Sequence, residues 1–136
     1  RMMDYKISRT YNATIYCGFM FRKKSGYMTY LNSTIEEHYL EAKKICHDYC
    51  NEVGLCVNIK QKTFIYTKSD RNDGEEEGVE VGLINYPRFE STPIEIQDHA
   101  IEIGGRLMKH FKQYRVSIVC DNFTYMLTNK ELEQDA

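Results

Sequence analysis

A chain of 136 residues suits one domain, and two halves of that length would each be marginal for burying a core. No apolar run approaches the ~20 residues that span a bilayer, and the opening RMMDYKISRTYNAT lacks a signal-peptide apolar region. The net charge is -2, and a long nucleic acid usually demands a strongly basic face, so the chain suits a small anionic ligand better. The five cysteines are spread without a dense framework, which fits a reducing compartment and a cytosolic protein.

Residues 4–9 and the run ATIYCGFMF over 13–21 combine β-branched and aromatic residues in the manner of strands. RKKSG is a turn, and YMTYLN (27–32) a third strand. STIEEHYLEAKKICHDYCNEVG then predicts a helix. Ser33 or Thr34 caps it, with Glu36 or Glu37 three residues on, and Gly54 is placed to end it. Ile35, Tyr39, Ala42, Ile45 with Cys46, Tyr49 with Cys50, and Val53 form its apolar stripe. CVNIKQKTFIYT (56–67) alternates as a strand, and VEVGLINY (79–86) is the returning one. Between them, residues 68–80 hold six acids and two bases and read as an acidic mobile loop. Thr92, Pro93 and Glu95 predict a second helix running to about Lys112, with a cap, a first-turn proline and a capping box together. YRVSIVC and FTYMLT close the fold as a hairpin around Asp121-Asn122, and residues 130–136 form a tail. The order βββ-α-ββ-α-ββ predicts an α+β, two-layer single domain over 1–136, with a mostly antiparallel sheet and two helices.

Cys46 and Cys50 lie on the apolar stripe near His47 and Cys56, but their spacing matches no zinc pattern, so no metal site is expected. DRNDGEEE does not place glycine at the sixth position of a calcium loop. His38, His47, His99 and His110 sit in no recognisable catalytic setting and read as surface or half-buried residues. Sequence therefore predicts no catalytic residue and no cofactor. Gly104-Gly105 lets another backbone approach, either within the chain or from a symmetry mate, and the second case implies an oligomer built on helix contacts.

The connection NYPRFESTPIE leads from a strand end to a helix start, where unpaired N–H groups face outward. Arg88 there can grip a phosphate, and Phe89 can stack on a base. The plainer alternative is a surface arginine beside a phenylalanine that staples the helix. Arg22 and Arg115 also stand beside aromatics at strand ends, and Asn85, Asn122 and Thr124 can add hydrogen bonds. Three such arginines suit a nucleotide with more than one phosphate. Outside residues 68–80 and the closing KELEQDA the chain has 15 basic and 11 acidic residues, which suits a small anion.

YNATIYCGFMFR, GLINYPRF and QYRVSI, with the chain's size and element order, resemble the first-described family of phage Thoeris anti-defence proteins. The resemblance implies a protein that is not an enzyme. It would act as a sponge for cyclic ADP-ribose isomers, and some members also take cyclic oligonucleotides. The ligand would sit near the subunit interface of a homodimer or higher oligomer, in the cytoplasm of an infected bacterial host. Carried over by position, Arg22, Arg88 and Arg115 would hold pyrophosphate or riboses, and Phe89 would stack on adenine. Asn85, Asn122 and Thr124 would be weaker contacts. The rival readings are an enzyme that cleaves a cyclic nucleotide, and a structural or protein-binding module.

Overall fold

Strict alternation makes strand β1 (Asn12–Gly18) the centre of the molecule: Ala13, Ile15 and Cys17 are buried, while Thr14 and Tyr16 face the other way. The computed structural model describes residues 2–135. After β1 come β2 (Met20–Arg22), β3 (Met28–Tyr30), helix α1 (Ile35–Val53), β4 (Asn58–Ile65), β5 (Glu75–Ile84), helix α2 (Pro93–His110), β6 (Arg115–Cys120) and β7 (Thr124–Thr128). A 3-10 turn follows at Lys130–Asp135. The five-stranded sheet has the order β4-β5-β1-β6-β7, antiparallel throughout, and β2 pairs β3 in a small separate sheet. This is the expected α+β, two-layer arrangement with two helices.

Both helices pack on one side of the five-stranded sheet. Val79, Val81, Leu83, Val116 and Ile118 join the β1 residues there, against Ala42 and Cys46 of α1 and Ile96, Ala100, Ile103 and Leu107 of α2. Period two then sends Tyr16, Gly18, Lys62, Phe64, Glu76, Gly78 and Glu80 to the side opposite the helices. Capping boxes set both helix starts. The Thr34 hydroxyl accepts from the Glu37 N–H at 3.1 Å, and the Thr92 hydroxyl from Glu95 at 3.2 Å, with each glutamate reaching back to the cap. Gly54 ends α1 in the left-handed region at φ 72°. Gly104 packs on Ile118 and Leu127 of its own sheet, so that glycine serves intramolecular packing.

Four elements differ from the sequence reading. Residues 4–9 form no strand, because no neighbouring strand takes up the alternating Tyr5 and Ile7, which stay 73% and 80% exposed. The apolar run 13–21 is two strands, broken where Phe19 turns into the core. Strand pairing reaches back to Glu75, so residues 75–80 of the acidic segment belong to β5. Helix α2 stops at His110, because Lys112 takes φ 52° and turns the chain toward β6.

Candidate functional site

On the helix-free face Gly18 of β1 lies in register with Gly78 of β5, and the two remove side chains from one spot of the sheet. The space is used by neighbours. A Cβ at Gly18 would run into the Glu76 carboxylate, and one at Gly78 would lie 2.6 Å from the Phe64 ring. Phe64 stands directly opposite Glu76 in the β4–β5 ladder. Tyr16 meets Phe64 edge to face, with ring centres 6.3 Å apart. The Lys62 ammonium lies 5.8 Å from the Tyr16 ring and pairs with Glu80 at 3.0 Å.

Glu76 is half-buried, and its carboxylate fills the space over Gly18. Its carboxylate accepts the Met20 N–H at 2.9 Å and a hydrogen bond from the Tyr66 hydroxyl. Burial raises its pKa above the ordinary carboxylate value, and these two hydrogen bonds only partly offset that. Both partners are neutral. Burial, followed by the Glu76 charge, pushes the Tyr66 phenol up to about 12, so its proton stays on and the hydroxyl remains a donor. Tyr30 stands alongside: its hydroxyl accepts the Glu77 N–H at 3.0 Å, and burial raises its pKa too. Met20 and Tyr30 also line a cavity of about 670 Å³, shared with Tyr27, Met28 and Arg71. A carboxylate with no cationic partner among the described residues, beside aromatic rings, suits a cation that carries apolar substituents.

A second hollow, of about 250 Å³, lies among Phe21, Arg22, Lys112, Tyr114 and Arg115. The Lys112 ammonium sits 5.2 Å from the Phe21 ring, and the Arg115 guanidinium 4.6 Å from the Tyr114 ring. Arg22 and Arg115 are therefore brought together, with Lys112 as a third cation. The other expected ligand contacts lie apart. Asn122 lines a different cavity with Tyr11, Pro93 and Phe123, and Thr124 is exposed at the start of β7. Arg88 is exposed in the turn where the Phe89 N–H bonds the Tyr86 carbonyl at 3.1 Å, and neither residue lines these cavities.

Asn85 is buried and its amide is engaged at both ends: it donates to the Arg9 carbonyl at 2.8 Å and accepts from the Ser91 N–H at 2.8 Å. Asn85→Ala orphans those two backbone groups. It is expected to cost about 1–3 kcal/mol of stability, read from the midpoint of urea unfolding.

The chain matches no protein-family model and no curated protein at a significant level. Solved structures do match. A phage SAM lyase in complex with S-methyl-5'-thioadenosine superposes with a TM-score of 0.66 over 96% of this chain and 98% of that one, at 16% identity. A phage SAM lyase in the apo state gives 0.62 over 88% and 90%, at 17% identity. The fold resembles that of a phage SAM lyase. This overturns the expectation that the protein is not an enzyme, since the fold shared across nearly both full lengths is an enzyme's.

Glu76, Tyr66 and Tyr30 were missed by the sequence reading because Glu76 falls in a run of three glutamates that looks solvated. The available signal was glycine. Two strand-interior glycines, Gly18 and Gly78, mark a close approach, and Tyr66 and Glu76 flank the turn that brings β5 beside β4. The buried thiols are poor nucleophiles, since burial raises both Cys17 and Cys46, the latter to about 12.

Proposed function

We propose that this chain is a phage enzyme that binds S-adenosylmethionine on the helix-free face of its sheet and cleaves it to S-methyl-5'-thioadenosine, depriving a host defence of its signal or methyl donor. The carrying observation is Glu76: a half-buried carboxylate whose hydrogen-bond partners among the described residues are neutral, opposite Phe64 and packed over Gly18. A sulfonium or ammonium group supplies the missing positive charge. Tyr16 and Phe64 offer ring surface to adenine, worth roughly 1–3 kcal/mol per stacked base. The shared fold with a lyase that binds the thioether product supports the same reading.

The chemistry asks little of the protein. One C–S bond of the sulfonium breaks, and its electron pair stays on sulfur, which becomes the neutral thioether. The departing four-carbon fragment closes its own carboxylate oxygen onto the carbon that sulfur leaves, so no water is consumed and no base is required. Glu76 holds the cation in place, Tyr66 holds Glu76, and the aromatic walls keep water away from the closing ring. The test is incubation with S-adenosylmethionine followed by chromatography. Methylthioadenosine should accumulate in proportion to enzyme and time, and accumulation no faster than in the protein-free control would overturn the reading.

A second reading is favoured by the meeting of Arg22, Lys112 and Arg115 around one hollow. Three cations among aromatic rings fit a pyrophosphate, and hence binding of a cyclic ADP-ribose isomer, as the Thoeris resemblance implies. Arg88, Phe89, Asn122 and Thr124 would then approach the ligand from a neighbouring subunit. Calorimetric titration with such an isomer tests it. Arg115→Glu should weaken binding by about 2–5 kcal/mol, and an isomer that binds neither protein removes this reading.

A further inference from the structure

The segment that joins β4 to β5 is tied down by its own backbone. The Tyr66 N–H bonds the Gly74 carbonyl at 2.8 Å, the Ser69 N–H bonds the Asn72 carbonyl at 3.2 Å, and the Gly74 N–H bonds the Asn72 side-chain oxygen at 2.7 Å. The Met28 N–H then reaches the Arg71 carbonyl at 3.3 Å, which docks the segment on the start of β3. Residues of this segment share the cavity of about 670 Å³ with Met20, Tyr27 and Tyr30.

The charges in that cavity are mixed. Asp70, Asp73 and Glu75 line it, and so does one cation, Arg71. Arg71 stands between acids in the sequence, yet it pairs with no carboxylate among the described residues. Its guanidinium lies against the β2–β3 turn instead. Gly26 takes φ 94° there, and a Cβ on it would stand 3.1 Å from the guanidinium carbon. A lone cation would meet Arg71 in this cavity, and a phosphate would meet the acids. A group that carries both signs suits it better, and the head of an α-amino acid is such a group: a carboxylate for the guanidinium and an ammonium for the acids.

The cavity adjoins Glu76. Met20 lines it and donates its N–H to the Glu76 carboxylate at 2.9 Å. Tyr30 lines it too, and its hydroxyl accepts the N–H of Glu77 at 3.0 Å. In S-adenosylmethionine the carboxylate and the ammonium share one carbon, joined to the sulfonium through a short aliphatic stretch. A ligand with its sulfonium at Glu76 therefore needs a place for a zwitterion close by.

We propose that this cavity receives the amino-acid end of the substrate and that Arg71 determines specificity by holding its carboxylate; this rests on the S-adenosylmethionine reading above. Arg71 grips one carboxylate oxygen and leaves the other free for ring closure. Cleavage then undoes the grip, since methylthioadenosine has no amino-acid head and the closed fragment has no free carboxylate. The test uses two thioethers that have no sulfonium to cleave, S-adenosylhomocysteine, which keeps the head, and methylthioadenosine, which lacks it. By titration calorimetry the parent should bind the first about 10-fold or more tightly than the second. Arg71→Met should bind both alike, with methylthioadenosine held as the parent holds it, and Arg71→Lys should recover part of the preference. The backbone bonds of the segment do not involve the Arg71 side chain, so the melting temperature should not move. A parent that binds neither compound would remove the adenosyl reading and this subsite with it. A parent that binds both alike, or an Arg71→Met variant that keeps the preference, would overturn the subsite alone.

Discussion

Glu76→Gln should melt at a higher temperature than the parent at neutral pH and at the same time lose the ligand. The two effects have one cause. Burial raises the Glu76 pKa, so the folded chain holds that proton more tightly than the unfolded chain does. The stability that protonation contributes is complete below the unfolded value and is lost as pH rises through the folded one. At neutral pH the ionised carboxylate therefore works against folding. Glutamine keeps the shape, can still accept the Met20 N–H, and carries no charge. Melting curves of the two proteins should coincide in acid and separate toward neutrality, with the variant higher. Binding should move the other way. In the proposed site, removing the anion should cost about 2–5 kcal/mol, a loss of roughly 30-fold or more in affinity for S-adenosylmethionine. Titration calorimetry beside pH-resolved melting measures both. A variant that melts lower at neutral pH, or binds as the parent does, would place the ligand elsewhere.

The largest stability loss is expected from Phe19→Ala, about 3–5 kcal/mol in urea unfolding. That is a large share of the 5–15 kcal/mol that holds a typical domain together. Phe19 is fully buried, with its ring centre 4.6 Å from that of Phe111 and 5.5 Å from that of His38. It is also the residue at which β1 gives way to β2, and its N–H bonds the Glu77 carbonyl at 2.9 Å. The cavity left by alanine would loosen Met20, the next residue, whose N–H holds the Glu76 carboxylate. Affinity for the ligand should therefore fall together with stability. Phe19→Leu, which refills most of the volume, should recover much of both.

Local chemistry made the helices legible. Thr34 with Glu37, and Thr92 with Pro93 and Glu95, are complete start signals within four residues, and the structure uses them as such. Alternation over 13–17 and 79–83 gave the central strands for the same reason: one side of each is buried and the other is not. What failed depends on partners distant in sequence. Residues 4–9 alternate like a strand but join neither sheet. The run of three glutamates looks like a solvated loop, yet the ladder to β4 begins at its first residue. His38 reads as a surface or half-buried histidine, but it is fully buried among Phe19, Tyr30 and Phe111, with the Ser33 hydroxyl 2.9 Å from its Nδ1. At the site, arginine beside an aromatic was visible in the sequence, and Arg22 and Arg115 do share a hollow. Glu76 was not visible, because its environment is assembled from β1, β2 and the turn at Tyr66, each remote along the chain.

The paired glycines under Glu76 also constrain how this protein can change over generations. Every substitution at Gly18 or Gly78 adds at least a Cβ, and the ground is already taken by the Glu76 carboxylate, the Cys17 carbonyl and the Phe64 ring. Gly78 is closed to drift by the Cys17 backbone, whereas Gly18 is held only for as long as the Glu76 carboxylate keeps its place. A lineage adapting this scaffold to a different small molecule would have to alter the rim, at Tyr16, Lys62, Phe64 and Tyr66, where side chains project from a ladder that tolerates exchange. Diversity among descendants should therefore gather on β4 and at position 16, around a fixed Gly78.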